Sequence, residues 1–194
     1  MPPAPTPARP DTDLAGRPED DRRGALAVLG AAAFAAWAVG WPAIGRAVEP
    51  LTQHDVVLLQ PGTVLERRVD DAALAAWLQR VGAAATASLK AHPQQVPTAG
   101  FLALAVRPGG RLKAWTDFKP ALAADTETAL LQAVDAVPPV SVTGGVVVVG
   151  LRVSVWGARP PERHAPAPDA WREAARRAGH PLPLDELIDV VWPE

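Results

Sequence analysis

Four histidines are the side chains of this chain best suited to bind a metal or move a proton near neutral pH. They are scattered along the sequence, at His54, His92, His164 and His180. None has a second histidine at the four-residue helical spacing of zinc sites, and none has a carboxylate at ligand spacing. We therefore predict that each is a solvated loop residue and that the chain holds no metal.

Paired carboxylates, serines and glycine pairs could supply acid-base, nucleophilic or phosphate-binding chemistry. Asp70-Asp71 and Asp185-Glu186 fall in the first turns of predicted helices, where capping and the helix dipole favour carboxylates. Gly109-Gly110 and Gly144-Gly145 lack the flanking Lys and Ser of a phosphate loop. The serines have no nucleophile-elbow context: they are Ser88, Ser141 and Ser154. The sequence therefore predicts no enzyme activity and no cofactor.

Two tryptophans are the candidate partner-binding residues. Trp115 and Trp156 both project from predicted strands, on the face predicted to be wetter. Exposed Trp is enriched in binding hot spots, and a free edge strand beside them would let a partner add a strand. The alternative is that neighbours of the apolar N-terminal segment or the C-terminal tail cover both rings, and we favour that alternative.

The length and the composition of the chain are typical of one ordinary domain with proline-rich segments. The 194 residues carry 19 Lys and Arg against 21 Asp and Glu, for a formal charge of -2, so we expect no nucleic-acid binding. The absence of cysteine excludes disulfides, thiolate catalysis and cysteine-based zinc sites. Residues 1–23 are rich in proline and poor in large apolar side chains, which predicts a disordered cytoplasmic tail.

Residues 24–45, GALAVLGAAAFAAWAVGWPAIG, contain no charge. At 1.5 Å per residue a helix of this length spans roughly the 30 Å of bilayer hydrocarbon, and it lacks the polar stripe of a soluble core helix. We predict a single transmembrane anchor. A cleaved signal is the alternative, with Ala36-Trp37-Ala38 as its cleavage site, but the apolar run continues past that site and its leader is long and partly acidic.

The flanks of this segment predict its orientation. Four arginines precede it and only Arg46 follows closely, so the N-terminus is expected in the cytoplasm and the C-terminal domain in the periplasm, with the chain in the inner membrane. Small residues repeat every fourth position on one face, which would let another helix approach and form an oligomer through the anchor. These residues are Ala32, Ala36 and Gly40.

Residues 46–68 are predicted to be a short linker or hairpin, with Gln60 to Thr63 as a turn. Residues 69–158 then show the order helix, strand, strand, helix, strand. The first helix is capped by Asp70 or Asp71, the strands span 101–106 and 111–118, and Asp125 is the candidate cap of the second helix. This order predicts an α+β domain: a small antiparallel sheet with helices packed on one face.

Prolines return after Gly157, so residues 159–168 are predicted to be an extended linker. Residues 169–194 are predicted to be a helical tail, with Glu173 and Arg177 as an i,i+4 pair and Gly179 as the helix C-cap. The tail either packs back on the domain or docks on a partner, and we favour packing back.

The region from about Ala72 to Gly157 resembles the C-terminal domain shared by TonB and TolA, proteins that link the inner and outer membranes of Gram-negative bacteria. The resemblance lies in the order of a helix, the hairpin FLALAVRPGGRLKAWTDF, the helix TETALLQAVDAVPPV and the strand GVVVVGLRVSVWG. It covers less than half of the chain and implies strand addition as the mode of partner capture.

Two departures from that family bear on function. TonB-type anchors carry a polar pair, including a histidine, that couples to a proton-driven motor, whereas residues 24–45 contain no ionisable side chain. The connection from anchor to domain is also short. We therefore predict a membrane-tethered periplasmic protein-binding module, a shortened TonB/TolA-type protein in envelope transport or assembly, with an envelope protein as partner. A cleaved, secreted or periplasmic enzyme or small-ligand binder is the alternative.

Overall fold

The secondary structure consists of four strands and five helices within the residues that the computed structural model describes, which are 48–93 and 96–193. In chain order these are β1 (Leu51–Leu58), α1 (Gly62–Arg68), α2 (Asp71–Ala91), β2 (Thr98–Arg107), β3 (Arg111–Lys119), α3 (Ala124–Asp135), β4 (Val147–Val155), α4 (Asp169–Ala178) and α5 (Leu184–Val191). The predicted α+β class is confirmed.

The four strands form one antiparallel sheet in the order β1-β4-β2-β3. β2 and β4 lie in the centre, and their residues are buried almost throughout because each strand is apolar at nearly every position. β1 and β3 are the edges. The hairpin from β2 to β3 turns between Arg107 and Arg111, as the glycines at that position predict.

The main core lies on what we call the first face of the sheet, which carries Leu102 and Leu104 of β2 and Val149 of β4. α2 and α3 cover this face, with Trp77 and Leu130 fully buried against it. The apolar period of both helices predicted this packing. Asp70 caps α2 as predicted, since its side chain accepts the Ala73 N–H at 2.8 Å.

The opposite face is also covered, which corrects the prediction that helices pack on one face only. This second face carries Ala103 and Ala105 of β2 and Val148 of β4, and Trp171 of α4 and Ile188 of α5 are buried on it. The reason is that β2 and β4 do not alternate apolar with polar residues, so both sides of the sheet need cover. The prediction that the C-terminal tail packs back on the domain is confirmed.

The prediction of a linker or hairpin at residues 46–68 is wrong. Leu51–Leu58 is a strand that pairs with distant β4, and the residues after Pro61 form α1 instead of a return strand. The Pro61 carbonyl accepts the N–H groups of Val64 and Leu65, at 2.9 and 3.2 Å. Pro61 is the N-cap residue, with φ -55° and ψ 140°, so its carbonyl starts the helix although it has no side chain that could cap it.

Residues 159–168 contain no helix or strand, and Pro166 packs on β4 so closely that a Cβ on Gly150 would lie 3.2 Å from its ring. One smaller prediction needs correction. Asp125 does not cap α3, which begins one residue earlier after Ala123. Gly179 does end α4, with φ at 73°, as predicted.

Residues 1–23 and the predicted anchor at 24–45, with Ala32, Ala36 and Gly40, lie outside the described residues. Among residues 48–93 and 96–193, no helix combines the length and the apolar character needed to cross a membrane.

Candidate protein-interaction site

One edge of the sheet is bounded by a helix on each side. β3 pairs with β2 alone among the described strands. α3 lies along its first face and α4 along its second, so the edge forms the floor of a groove. We call this groove the β3 trough, with Lys113–Lys119 as its floor and α3 and α4 as its walls. At about 3.4 Å per residue, the floor is about 20 Å long.

The first part of the β3 trough is lined by both polar and apolar residues. It holds a cavity of about 370 Å³ beside Trp115. Leu131 of α3, Ala170 of α4 and Val191 of α5 line the same cavity, and Lys113 lies beside them. An apolar side chain entering here would therefore meet an aromatic ring and aliphatic walls.

The middle of the β3 trough is polar. Its cavity, of about 310 Å³, is lined by Asp117, Glu127, Asp169, Lys119 and Arg172 among others. The Thr116 hydroxyl donates a hydrogen bond to the Glu127 carboxylate, which ties the floor of the trough to the α3 wall. Thr116, Glu127 and Asp169 line both cavities, so the two are continuous.

A third, apolar cavity lies beyond the far end of the β3 trough. It has a volume of about 300 Å³ and is lined by Val96, Pro120, Ala121, Leu122, Ala123 and Trp156. It shares Ala121 and Leu122 with the polar cavity. Two cavities with polar linings therefore follow the open β3 edge, and an apolar cavity lies past the end of the strand.

Trp115 lies in the β3 trough on the second face, where strand alternation places it. Its ring is only partly buried and meets Trp171 of α4 edge to face, with centroids 5.5 Å apart and planes at 70°. The C-terminal tail therefore covers one side of the ring, and Trp115 also lines the first cavity of the trough.

Trp156 does not lie on a wet face, which corrects the prediction. β4 ends at Val155, and Trp156 adopts a φ of 53°, so its ring turns into the first-face core, where the residue is 5 % exposed. A left-handed backbone at a bulky residue is unusual and breaks the strand alternation on which the prediction depended. The residue still lines the apolar cavity beyond the far end of the trough.

A buried carboxylate holds the α4 wall in place. Asp117, two residues after Trp115 on the same face of β3, has a side chain only 3 % exposed, because the chain before α4 lies over it. Its carboxylate accepts Arg163 Nη1 at 2.5 Å and the Ala167 N–H at 2.7 Å, and Arg172 of α4 lies 3.7 Å away. These groups compensate the buried charge, as a buried carboxylate requires.

A second polar cluster fixes α5. The Gln60 side-chain amide donates to the Val146 carbonyl at 3.0 Å and accepts the Val148 N–H at 3.1 Å. It therefore makes hydrogen bonds to β4 and to the residue before it, just past the point where β1 ends. Gln60 also donates to Asp185 of α5, and Arg68 forms two hydrogen bonds with the same carboxylate. The hydrogen bond from Arg68 holds the pKa of Asp185 below its ordinary value, against the opposing effect of desolvation.

The last residues of α5 are held by two arginines. The buried Arg107 guanidinium forms an ion pair with Asp189 at 2.6 Å. Arg107 and Arg111 both lie over the Trp192 ring, with guanidinium carbons 4.6 and 5.3 Å from its centroid. Charge pairing and cation–π contacts therefore anchor the tail beside the hairpin turn.

The other edge of the sheet has a different character. β1 pairs with β4 alone among the described strands, and its residues from Gln53 to Val56 are exposed. Val56 and Leu58 are 38 % and 53 % exposed, although both are large apolar side chains. Asp55 forms an ion pair with Arg152 at 3.2 Å.

One histidine prediction is wrong. His54 lies in β1, at a break in the pairing register between Gln53 and Asp55, and its Nε2 lies 2.5 Å from the Ser154 hydroxyl. Ser154 is 2 % exposed, so its hydroxyl offers a substrate no access. The contact fixes the ring at the irregular position of the strand, where bulges commonly re-aim a side chain.

The remaining candidates for chemistry lie in structural positions. His92 caps the end of α2, His164 and His180 lie in exposed loops, and Asp185 and Glu186 lie in the first turn of α5. No group of three His, Asp or Glu side chains in the described part of the chain could hold a metal ion.

Comparison of the chain with protein-family models gave no match. Comparisons with curated proteins and with solved structures gave none either. The resemblance to the TonB and TolA domain therefore stays a prediction.

Proposed function

We propose that this chain is a single-pass inner-membrane protein whose periplasmic domain binds an extended segment of another cell-envelope protein along the β3 trough. Residues 1–23 are its cytoplasmic tail and residues 24–45 its anchor. The domain is a tethered protein-binding module, in the manner of a shortened TonB/TolA-type protein.

The open floor of the β3 trough carries this proposal. An edge strand offers a row of backbone N–H and C=O groups to a further strand, and main-chain hydrogen bonds of this kind give affinity. The two walls add side-chain cavities, which give specificity. The cavities favour a segment that is mainly polar along β3, with one side chain beside Trp115, and that has an apolar residue past the end of the strand, near Leu122.

The location rests on the sequence of the anchor. An uncharged run of bilayer length, four arginines before it and one after it support a cytoplasmic N-terminus and a periplasmic domain. The same run has no group that could carry a proton, so the anchor holds the domain at the membrane without coupling it to a proton-driven motor.

A site-specific photo-crosslinker tests the partner. The full chain would carry the crosslinking amino acid at Lys113, on the rim of the trough, and a control chain would carry it at Gln79, an exposed residue of α2. We expect Lys113 to give a discrete adduct with an envelope protein and Gln79 to give none. Equal adducts from both positions, or none from either, would contradict the proposal.

A reporter fused to the C-terminus tests the location separately. A periplasmic reporter result, with the intact N-terminal tail found by mass spectrometry, is the expected outcome. A cytoplasmic result would overturn the proposed location, and loss of the tail would favour a cleaved signal instead of an anchor.

A further inference from the structure

The second half of β1, Asp55–Leu58, is a weakly protected edge. Natural edge strands are protected by charged side chains, especially lysine, by proline, by β-bulges, by a covering helix or by being very short. β1 has such a protection in the register break near His54, but the break lies before this segment. β1 has eight residues, LTQHDVVL, with neither lysine nor proline among them. Val56 and Leu58 are exposed on it, and Val48, just before the strand, is 47 % exposed.

The charge of β1 does not oppose contact with an identical strand. Its one formal charge, on Asp55, is already paired with Arg152 of the same chain. β3 differs, because Arg111, Lys113 and Lys119 would place like charges near one another if two β3 edges met. Charge therefore favours self-pairing at β1 and disfavours it at β3.

Symmetry also favours an identical partner at β1. Two copies of one strand that are related by a two-fold axis pair antiparallel. Such a pair has the same hydrogen-bond pattern as the rest of this antiparallel sheet. The register break near His54 limits the regular part of β1 to Asp55–Leu58, so the two-fold axis falls within that segment.

We infer that β1 pairs with β1 of a second copy of this chain, which joins two four-stranded sheets into one. The segment Asp55–Leu58 is short, and interfaces that hold without help usually bury well over 1,000 Å². The pairing therefore depends on the proposed membrane anchor, which would keep two copies in one plane. β1 begins five residues after Arg46, and five residues reach at most about 17 Å. Two anchored copies would therefore be held close together, which raises the effective concentration of one β1 strand near the other.

Single-cysteine crosslinking tests this pairing directly, because the chain has no cysteine of its own. Full-length Val56→Cys and Leu58→Cys would be treated in cells with a short, membrane-permeable bis-maleimide. Lys113→Cys and Gln79→Cys are matched controls at exposed positions on β3 and α2. We expect covalent homodimers from the two β1 positions and none from the controls.

A second substitution checks that strand pairing causes the crosslink. Val56→Lys in the Leu58→Cys chain puts two lysines near the two-fold axis and should lower the dimer yield severalfold. Unchanged yield would overturn the pairing. So would adducts with a different protein in place of the homodimer, or no adduct while a small maleimide still labels the cysteine.

The same variants separate this inference from the proposed function. Labelling of the Gln79→Cys chain, whose cysteine lies on α2 outside the proposed interface, by a membrane-impermeant maleimide in intact cells reports whether the domain is periplasmic. Labelling without a homodimer would overturn the self-pairing and leave the location intact. A homodimer without labelling would support the pairing and contradict the location.

Discussion

The two edges of the sheet differ in what surrounds them. β3 carries Arg111, Lys113 and Lys119 and lies between α3 and α4, so another strand can approach it only along the trough. β1 carries no cation and has exposed Val56 and Leu58. The same row of backbone hydrogen-bonding groups is therefore presented at β3 between two helices and at β1 beside one, α2.

The walls decide how selective each edge can be. A strand that adds to β3 must also place its side chains in the cavities beside Trp115 and Leu122, so its sequence matters. A strand that adds to β1 meets mainly backbone and two aliphatic side chains. Selectivity at β1 must then come from symmetry and tethering, whereas at β3 it comes from fit.

Trp156→Ala, at the far end of the β3 trough, should lower stability more than any substitution on β1. The residue is 5 % exposed in the main core, and truncation of a buried Trp costs about 4 kcal/mol. Denaturant unfolding of the purified chain measures the loss. Trp192→Ala is the control, because Trp192 is partly exposed, and we expect it to cost about 1 kcal/mol. Equal losses would show that Trp156 is not a core residue.

Asp117→Asn should loosen the α4 wall of β3 and leave β1 unchanged. The substitution leaves Arg163 without its buried counter-charge, and breaking such a pair costs about 3 kcal/mol, at the low end of the usual range because Arg163 is 33 % exposed. The free energy of unfolding is the measurement.

Asp169→Asn is the matched control, since its side chain lies at the same trough but is 94 % exposed. We expect a change within about 0.5 kcal/mol. If Asp117→Asn behaved like this control, the buried carboxylate would not be what holds the wall.

Local periodicity explains which parts of this fold could be predicted. α2, the β2–β3 hairpin, α3 and β4 each carry a pattern within a few residues, and they lie close to where the pattern places them. β1 has no clear alternation, because it is an exposed edge with polar residues at its centre, and only its pairing with β4 makes it a strand. Such pairing is not visible in a local pattern.

The trough could be predicted only in part for a related reason. Trp115 follows from strand alternation, whereas the position of Trp156 depends on a single backbone torsion. The α4 wall of the trough and the neighbouring α5 depend on contacts between distant residues, Arg163 with Asp117 for α4 and Gln60 with Asp185 for α5. The arginines in RPPERHAPAP are the one sign in the sequence that the proline-rich segment has a carboxylate to meet.

Moving the protecting lysine from β3 to β1 should make β3 more prone, and β1 less prone, to pair with another chain. Lys113→Val removes a cation from β3, and Val56→Lys adds one to β1. Both positions are exposed, so the free energy of unfolding should change by no more than about 0.5 kcal/mol. Light scattering of the purified chain at matched concentrations should show faster association for Lys113→Val and slower association for Val56→Lys.

A control variant with a new valine on a helix distinguishes association through a strand edge from association through added apolar surface. Gln79→Val adds the same side chain to exposed α2, where the backbone is already hydrogen-bonded, and should leave association unchanged. Faster association of this variant would mean that apolar surface, and not the strand edge, drives the effect.

A small pH dependence is expected beside the β1 edge. Arg68 lowers the pKa of Asp185 in the folded chain, so the unfolded chain binds the proton more readily. The stabilisation is complete above the unfolded pKa of about 3.9 and is lost as the pH falls through the lower, folded value. Because the Asp185 side chain is 54 % exposed, we expect no more than about 1 kcal/mol, weakened by salt.

Asp185→Asn should remove this part of the acid sensitivity, measured as the free energy of unfolding against pH. Glu186→Gln removes a charge from the same turn of α5 but leaves the pair with Arg68 intact, so its pH profile should match that of the unsubstituted chain. Identical profiles for both variants would contradict the assignment. Because Gln60 links Asp185 to β4 just beyond the end of β1, acid should loosen the second face there before it disturbs the β3 trough.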